Sequence, residues 1–501
     1  MFFWIVIVGG ISSFIAAMGI GSNDAANAFA TSVGSKALTI KQASILAVVF
    51  ETSGAVLMGS HVTDTIRKGI ANYECFEQEP YLLMYGCMWV IISVSFWLFL
   101  ASYLEMPVST THSCVGGMIG MTIATVGSDC VIWFKQVETF PYIGGVGGII
   151  MSWFLSPVFS GLISSSVYGL TRKFVLRHNY ESNRLNYIYP ILVGTTLLIN
   201  SFFIIYKGAK GIGLHKIEAG EAIGWSFLIS SVGSIITIPL VPKIRKKVEQ
   251  RINNTNNNNN NTINNTNNNT NITIDNIINK KELNITSQSQ LNKVTEIHVK
   301  AEKFDERTEE VFKYLQIFSA ICDSFSHGAN DVANAIGPFA AIYLINKESG
   351  NLTKKLDMDN DAYWILGIGG IGISFGLIIY GKKIINAIGN KLCKITPSRG
   401  TCIELSSAIV IIIGSRLKIP LSTTHCQVGA TVGVGLLENK CYNTKIEGIN
   451  CQILLKTAFG WVITCIIVGI TAGLLSAQGI YSPIKSNITQ CINNTLLYNI
   501  E

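Results

Sequence analysis

Charge is what this sequence has least of. Only 14% of its 501 residues are Asp, Glu, Lys or Arg, against 49% that are hydrophobic, whereas soluble domains carry about 25% charged residues. That scarcity excludes an ordinary soluble protein. Several apolar runs approach the ~20 residues that a bilayer-spanning helix needs, so the chain reads as an all-α polytopic membrane protein. No P-loop, Gly-x-Ser-x-Gly elbow or metal-hydrolase spacing occurs, which argues against an enzyme. The 12 cysteines include no Cys-x-x-Cys pair. Most lie in apolar runs and read as space-filling thiols. Four of them, Cys75, Cys441, Cys451 and Cys491, lie in or near loops, where a disulfide can form. The apolar N-terminus lacks the basic flank of a secretory signal and is expected to stay as a helix. Arginine is scarce inside the apolar runs, with Arg416 at the end of one. The net charge of +7 resides largely in loops, where it orients a membrane protein, so no nucleic-acid partner is expected.

What the chain does have is a motif written twice. Gly21-Ser22-Asn23-Asp24-Ala25-Ala26-Asn27-Ala28 returns as Gly328-Ala329-Asn330-Asp331-Val332-Ala333-Asn334-Ala335, with six of eight residues identical. Each copy follows an apolar stretch. A carboxylate and two amides at membrane depth are costly unless something polar meets them. Meeting that cost twice suggests one site assembled from two related halves. A second motif is also doubled. Met106 to Gly117 matches Ile419 to Ala430 at seven of twelve positions, including Pro107-x-Ser109-Thr110-Thr111-His112 and Pro420-x-Ser422-Thr423-Thr424-His425. The offsets between copies, 307 from Asp24 to Asp331 and 313 from Ser109 to Ser422, nearly agree, so the duplication is in register. Between the motifs the halves have drifted. Glu51 aligns with Ile373 and Glu404 with Ile91, so each half keeps one intramembrane glutamate at a different place.

Three regions follow. Residues 1–240 form an N-terminal membrane half, with the first repeat over about 1–126. Residues 241–311 interrupt it, and residues 312–501 carry the second repeat. From Asn253 to Asn271 the chain is almost all Asn and Thr, with too little apolar surface to offset its conformational entropy, so 241–311 is expected to be a disordered cytoplasmic insert. Basic clusters at Arg172–Arg184 and Lys243–Lys247 flank two spans, which puts both on the cytoplasmic side. Sequons at Asn487 and Asn493 are usable only if the tail lies outside. The glycines and Asn-Asp of each first motif predict a broken or re-entrant helix.

Asn23 and Asn27 stand four residues apart on one helical face with Asp24 one step round, and Asn330, Asp331 and Asn334 repeat the arrangement. One carboxylate with neutral oxygens suits a monovalent cation such as Na⁺, held at Asp24 and Asp331. Ser-Thr-Thr just after a proline suits an anion at a helix N-terminus, and hydroxyls can donate to or accept from a protonated oxyanion. Phosphate carries such a proton near neutral pH; sulfate does not. His112 and His425 read as helix-packing residues, and His61 as a residue of a solvated helix end.

The doubled motifs, together with Phe50-Glu51-Thr52-Ser53-Gly54, Thr63-Asp64-Thr65-Ile66-Arg67-Lys68-Gly69 and Ile403-Glu404-Leu405-Ser406-Ser407, resemble the inorganic phosphate transporter (PiT) family over all but the 241–311 insert. The resemblance implies an inverted-repeat secondary transporter of about twelve membrane segments in the plasma membrane, often a homodimer. It implies a sodium-coupled phosphate symporter that works by alternating access and carries no cofactor, with Na⁺ as the co-transported ion. Ser109, Thr110, Thr111, Ser422, Thr423 and Thr424 would cradle phosphate. Asn23, Asp24, Asn27, Asn330, Asp331, Asn334, Glu51 and Glu404 would serve sodium binding and coupling. Ile91 departs from the pattern, because some relatives are expected to have a glutamate there. Rival readings are proton coupling through Asp24, Asp331, Glu51 or Glu404, a receptor without transport, and an intramembrane aspartyl protease using Asp24 and Asp331. The last leaves the Ser-Thr-Thr segments without a role.

Overall fold

The computed structural model describes residues 2–138, 142–179, 184–206, 217–263, 288–352, 358, 363–388, 391–438 and 448–481. Fourteen helices occupy most of them. In chain order they are α1 Phe3–Ile20, α2 Ala26–Gly34, α3 Ile40–Lys68, α4 Pro80–Tyr103, α5 Thr110–Val126, α6 Gly145–Thr171, α7 Arg184–Ile205 and α8 Ala219–Ile263, then α9 Gln288–Lys300, α10 Glu306–Lys347, α11 Tyr363–Ile388, α12 Pro397–Arg416, α13 Thr423–Leu437 and α14 Cys451–Tyr481. Nine helices among the described residues are long and apolar enough to cross a bilayer, so the chain is a multi-pass integral membrane protein. The family resemblance implies about twelve segments. The difference lies partly in α5 and α13, which have only 17 and 15 residues and start in the middle of the protein rather than at a surface.

Local sequence sets many boundaries. Thr39 and Gln42 close a capping box at the start of α3, and Pro80 and Pro397 open α4 and α12 at the position where a missing N–H costs nothing. Ser109 and Ser422 cap α5 and α13 by accepting from the backbone N–H of His112 and His425.

The duplication is visible in the backbone. Left-handed non-glycine residues occur at Lys36 and Ser349 and again at Glu105 and Lys418, and both pairs are 313 positions apart. Helix crossings repeat as well. The carbonyl of Ile373 stands against Gly21 and that of Glu51 against Gly328, while Met18 meets Gly376 and Phe325 meets Gly54. Glu51 and Ile373 are therefore equivalent positions, as aligned from sequence. Gly116 and Gly120 of α5 pack on α14 at Cys465 and Gly469, and Gly429 and Gly433 of α13 pack on α6 at Pro157 and Gly161. Small residues four apart let these backbones touch.

The two halves run in opposite senses. α6 starts beside Ile132, near the Cys75–Cys130 disulfide, and ends at Arg172. Its 27 residues span about 40 Å at 1.5 Å per residue, enough to cross. From the centre α5 runs towards Ala124, which meets Tyr481 at the end of α14, on the disulfide side. α13 runs to Leu437, whose carbonyl accepts from Arg172 at 2.6 Å, on the basic side. The disulfide thus lies across the membrane from the basic clusters, as the oxidising side should. Its partner for Cys75 is Cys130 rather than another of the four loop cysteines. Cys451 is free, and Cys441, Cys491 and the tail sequons lie outside the described residues.

Two further expectations are corrected. The first motif does not break its helix: a π-helical turn over Gly21–Ala25 joins α1 to α2. The second lies inside the uninterrupted α10. The chain opens instead at Leu104–Ser109 and Leu417–Ser422, before the Ser-Thr-Thr helices. The motif amides are met by these facing segments, so their own helices need not open. His61, expected at a solvated end, is only 7% exposed within α3.

The insert enters the structure only in part. α8 continues to Ile263, Gln288–Lys300 is helical, and residues 264–287 lie outside the described residues. Its far end is tied down. Arg177 pairs with Glu302 through two contacts of 2.9 Å, and the buried Arg399 joins Glu438 at 2.9 Å and the Glu302 carbonyl at 2.8 Å. The Arg177 hydrogen bonds hold the Glu302 carboxyl below its ordinary range. A depressed carboxyl stabilises the fold at neutral pH and loses that contribution as pH falls through its folded-state value. Deleting 264–287 should leave uptake close to wild type at equal surface expression. Extending the deletion through Glu302 should impair it.

Candidate functional site

The N-termini of α5 and α13, one from each half, meet head to head at the centre. Ser109 Oγ and Ser422 Oγ are 2.9 Å apart. Thr111 donates to the Leu421 carbonyl at 2.9 Å and Thr424 to that of Val108 at 3.2 Å, so each cradle segment binds the other's approach strand. Two positive helix ends placed together repel unless negative charge lies between them.

The first motifs supply that charge. Asp24 accepts from the Thr110 N–H at 3.1 Å and the Thr110 hydroxyl at 2.7 Å, and from Thr424 of the other half at 3.1 Å. Asp331 accepts from Thr423 at 2.6 Å, the equivalent of the Asp24–Thr110 contact. Asn334 donates to Thr110 and Thr111, both at 3.1 Å. Asn23 bridges the segment before α5, donating to the Met106 carbonyl at 2.9 Å and accepting from Val108 N–H at 3.0 Å. Asn330, with its amide turned to suit its neighbours, donates to the Leu421 carbonyl at 2.9 Å and accepts from Ser415. Ser415 and Ser102, which meets Asn23, are again equivalent positions. Asp24 and Asp331 are 2% and 0% exposed.

The structure thus brings together Asn23, Asp24, Asn330, Asp331, Asn334 and all six cradle hydroxyls. The side chain of Asn27 is outside the described part. Glu51 joins at one remove. It accepts from Ser324 at 3.1 Å and faces His327 Nδ1 at 2.8 Å, while His327 Nε2 lies 3.0 Å from Asp331. His327 is a member that the sequence reading passed over, although its place four residues before Asp331 on a helix puts the two side chains on one face. At the positions that the repeat makes equivalent to Ser324, His327 and Glu51 stand Ala17, Ile20 and Ile373, so this bridge exists once. Glu404 is apart from the centre, in a shell of its own. Thr31, Ser32 and Gln316 donate to one oxygen and Ser319, at 2.6 Å, to the other.

His112 and His425 pack as expected. His112 stacks on Trp153 with centroids 3.6 Å apart, and His425 lies 3.7 Å from Trp461.

Two inverted halves that meet in a buried cradle of hydroxyls, amides and carboxylates define a secondary transporter of the inverted-repeat type. The chain belongs to the phosphate transporter family, whose model matches residues 20–472. The phosphate-repressible phosphate permease of Neurospora crassa is 29% identical, with 96% of this chain and 98% of that protein aligned. The sodium-dependent phosphate transporter 1 of Mus musculus is 26% identical, with 95% of each covered. A solved structure described as the sodium-dependent phosphate transporter is similar at a TM-score of 0.73 and 31% identity, covering 94% of this chain and 98% of that one. This is a family of transporters, not of enzymes.

Proposed function

We propose that the protein carries inorganic phosphate together with Na⁺ by alternating access, with the substrate bound between the N-termini of α5 and α13. The observation that supports this most directly is the Ser109–Ser422 contact at 2.9 Å, flanked by Asp24 and Asp331. Backbone N–H groups, hydroxyls and positive helix ends suit an oxyanion. The flanking carboxylates would repel it unless a proton on the anion or a small cation balanced them. That requirement ties anion entry to cation entry, which is the physical content of symport. Asp24, Asp331 and the amides of Asn23, Asn330 and Asn334 supply oxygens of the kind an alkali cation takes. Phosphate bound here would replace the hydroxyl contacts that Thr110, Thr423 and Thr424 now make to the two aspartates. The sodium-dependent relatives favour Na⁺ over H⁺ as the partner ion. Labelled phosphate uptake into proteoliposomes under separate Na⁺ and H⁺ gradients tests this. Uptake driven by Na⁺ alone is expected; uptake driven only by H⁺ would replace Na⁺ with the proton.

The cradle has its own test. Ser422→Ala and Thr424→Ala should each raise the phosphate KM. A hydrogen bond to a charged group is worth roughly 1.5–3 kcal/mol, or about tenfold to a hundredfold. An unchanged KM in both folded variants would remove these hydroxyls from the phosphate site.

A further inference from the structure

One buried carboxylate has no part in the site described so far. Asp323 sits on α10, four residues before His327 and eight before Asp331, and is 1% exposed. It lines a small cavity with Asp24, His327, Ser407, Thr423 and Gln427. The cavity measures about 10 Å³, the room of roughly one water molecule, and is too small for phosphate. Ser407 stands against the Asp323 carboxylate, and both amide atoms of Gln427 have no hydrogen-bond partner among the described residues. Gln427 is 6% exposed, so neither amide atom is left to bulk water. Buried polar atoms of native proteins are almost always paired, and a carboxylate at membrane depth is the costliest of them to bury.

We propose that Asp323, Ser407 and Gln427 form a binding site for a dehydrated monovalent cation, additional to the two Asn-Asp motifs. The donor set is all oxygen: a carboxylate, a hydroxyl and an amide carbonyl, with the Asp24 carboxylate on the same wall. Two further carboxylates, Glu51 and Glu404, act on Asp323, against one basic group, His327, among these neighbours. His327 itself is held between Glu51 and Asp331, at 2.8 and 3.0 Å. The equivalent positions in the first repeat are Ala16, Val94 and Cys114, all buried and without a hard oxygen ligand. The site therefore exists in one half only. An ion there would sit between α10, α12 and α13, beside Asp24, and would sense whether the central cradle is assembled.

The proposal rests on the Na⁺-coupled reading, and its test separates the two. Full-length wild type, Asp323→Asn and Ser407→Ala are reconstituted, and phosphate uptake is titrated with Na⁺. In Asp323→Asn the Na⁺ concentration for half-maximal uptake should rise about tenfold, as expected when a charged ligand becomes neutral, and the curve should lose steepness. The phosphate KM at saturating Na⁺ should change much less. Ser407→Ala should move in the same direction by a smaller factor. As a second measurement, NaCl in place of choline chloride should protect detergent-solubilised wild type against heat without phosphate, and should protect Ser407→Ala less. This reading holds even if Asp323→Asn fails to fold. Identical Na⁺ titrations and equal protection would overturn the proposal and leave only water in the cavity. A shifted pH profile with an unchanged Na⁺ titration would overturn it in favour of a proton on Asp323. A wild type indifferent to Na⁺ would instead refute the coupling reading itself.

Discussion

Asp24→Asn and Asp331→Asn are each expected to cut Na⁺-driven phosphate uptake by at least about tenfold, the scale of one lost charged interaction, with the protein still folded and in the membrane. The structure sharpens the reason. Asp24 accepts from the Thr110 N–H and so caps α5 from a neighbouring helix. Asn caps nearly as well as Asp, so loss of the cap alone would be mild. What the amide removes is the negative charge between two facing helix ends, and with it the attraction for a cation. The two variants should differ in kind. Asp24 is held by hydroxyls from both halves, whereas Asp331 also stands 3.0 Å from His327, which ties it to Glu51. Asp331→Asn should therefore disturb that bridge as well and be the more severe. Uptake and its Na⁺ dependence, measured at matched amounts in proteoliposomes, decide the matter. Near wild-type transport in both variants would leave the aspartates as caps and nothing more.

Gly21→Ala is expected to destabilise the folded protein strongly. An added Cβ would lie 1.7 Å from the Ile373 carbonyl oxygen and 2.6 Å from its carbon. Both are backbone atoms of α11, which cannot swing aside as a side chain can. Overpacking a core typically costs about 1–3 kcal/mol, and here a helix would have to withdraw from the wall of the proposed site. Gly220→Ala, at the start of α8, is the matched control. Nothing lies within 4 Å of its added Cβ, and alanine favours a helix over glycine by roughly 1 kcal/mol. Thermal unfolding in detergent should show a large loss for Gly21→Ala and none for Gly220→Ala. Equal stability of the two would refute the close approach of α1 and α11.

The sequence by itself determined a good deal. Low charge and long apolar runs settled a helical membrane protein, because burial in lipid demands internally paired backbone. The two copies of Asn-Asp and of Ser-Thr-Thr, in register, announced two related halves and most of the polar residues at the centre. The helix break was misplaced because a sequence shows that an Asn-Asp pair needs partners but not which segment supplies them. Met106, Val108 and Leu421 supply them from outside, so the motif helices stay wound. Cys130 was missed as the partner of Cys75 for the same reason: residues 55 apart in sequence are neighbours only once α3, α4 and α5 are packed. His327 and Asp323 could be seen only as polar residues beside a motif. Which carboxylates flank His327, and that Asp323 faces Ser407 and Gln427 across a cavity, depends on how α10 meets α3, α12 and α13. Drifted positions carry no repeat to reveal such pairings. Local pattern fixed which groups had to be satisfied, and the packing of the two opposed halves chose the partners.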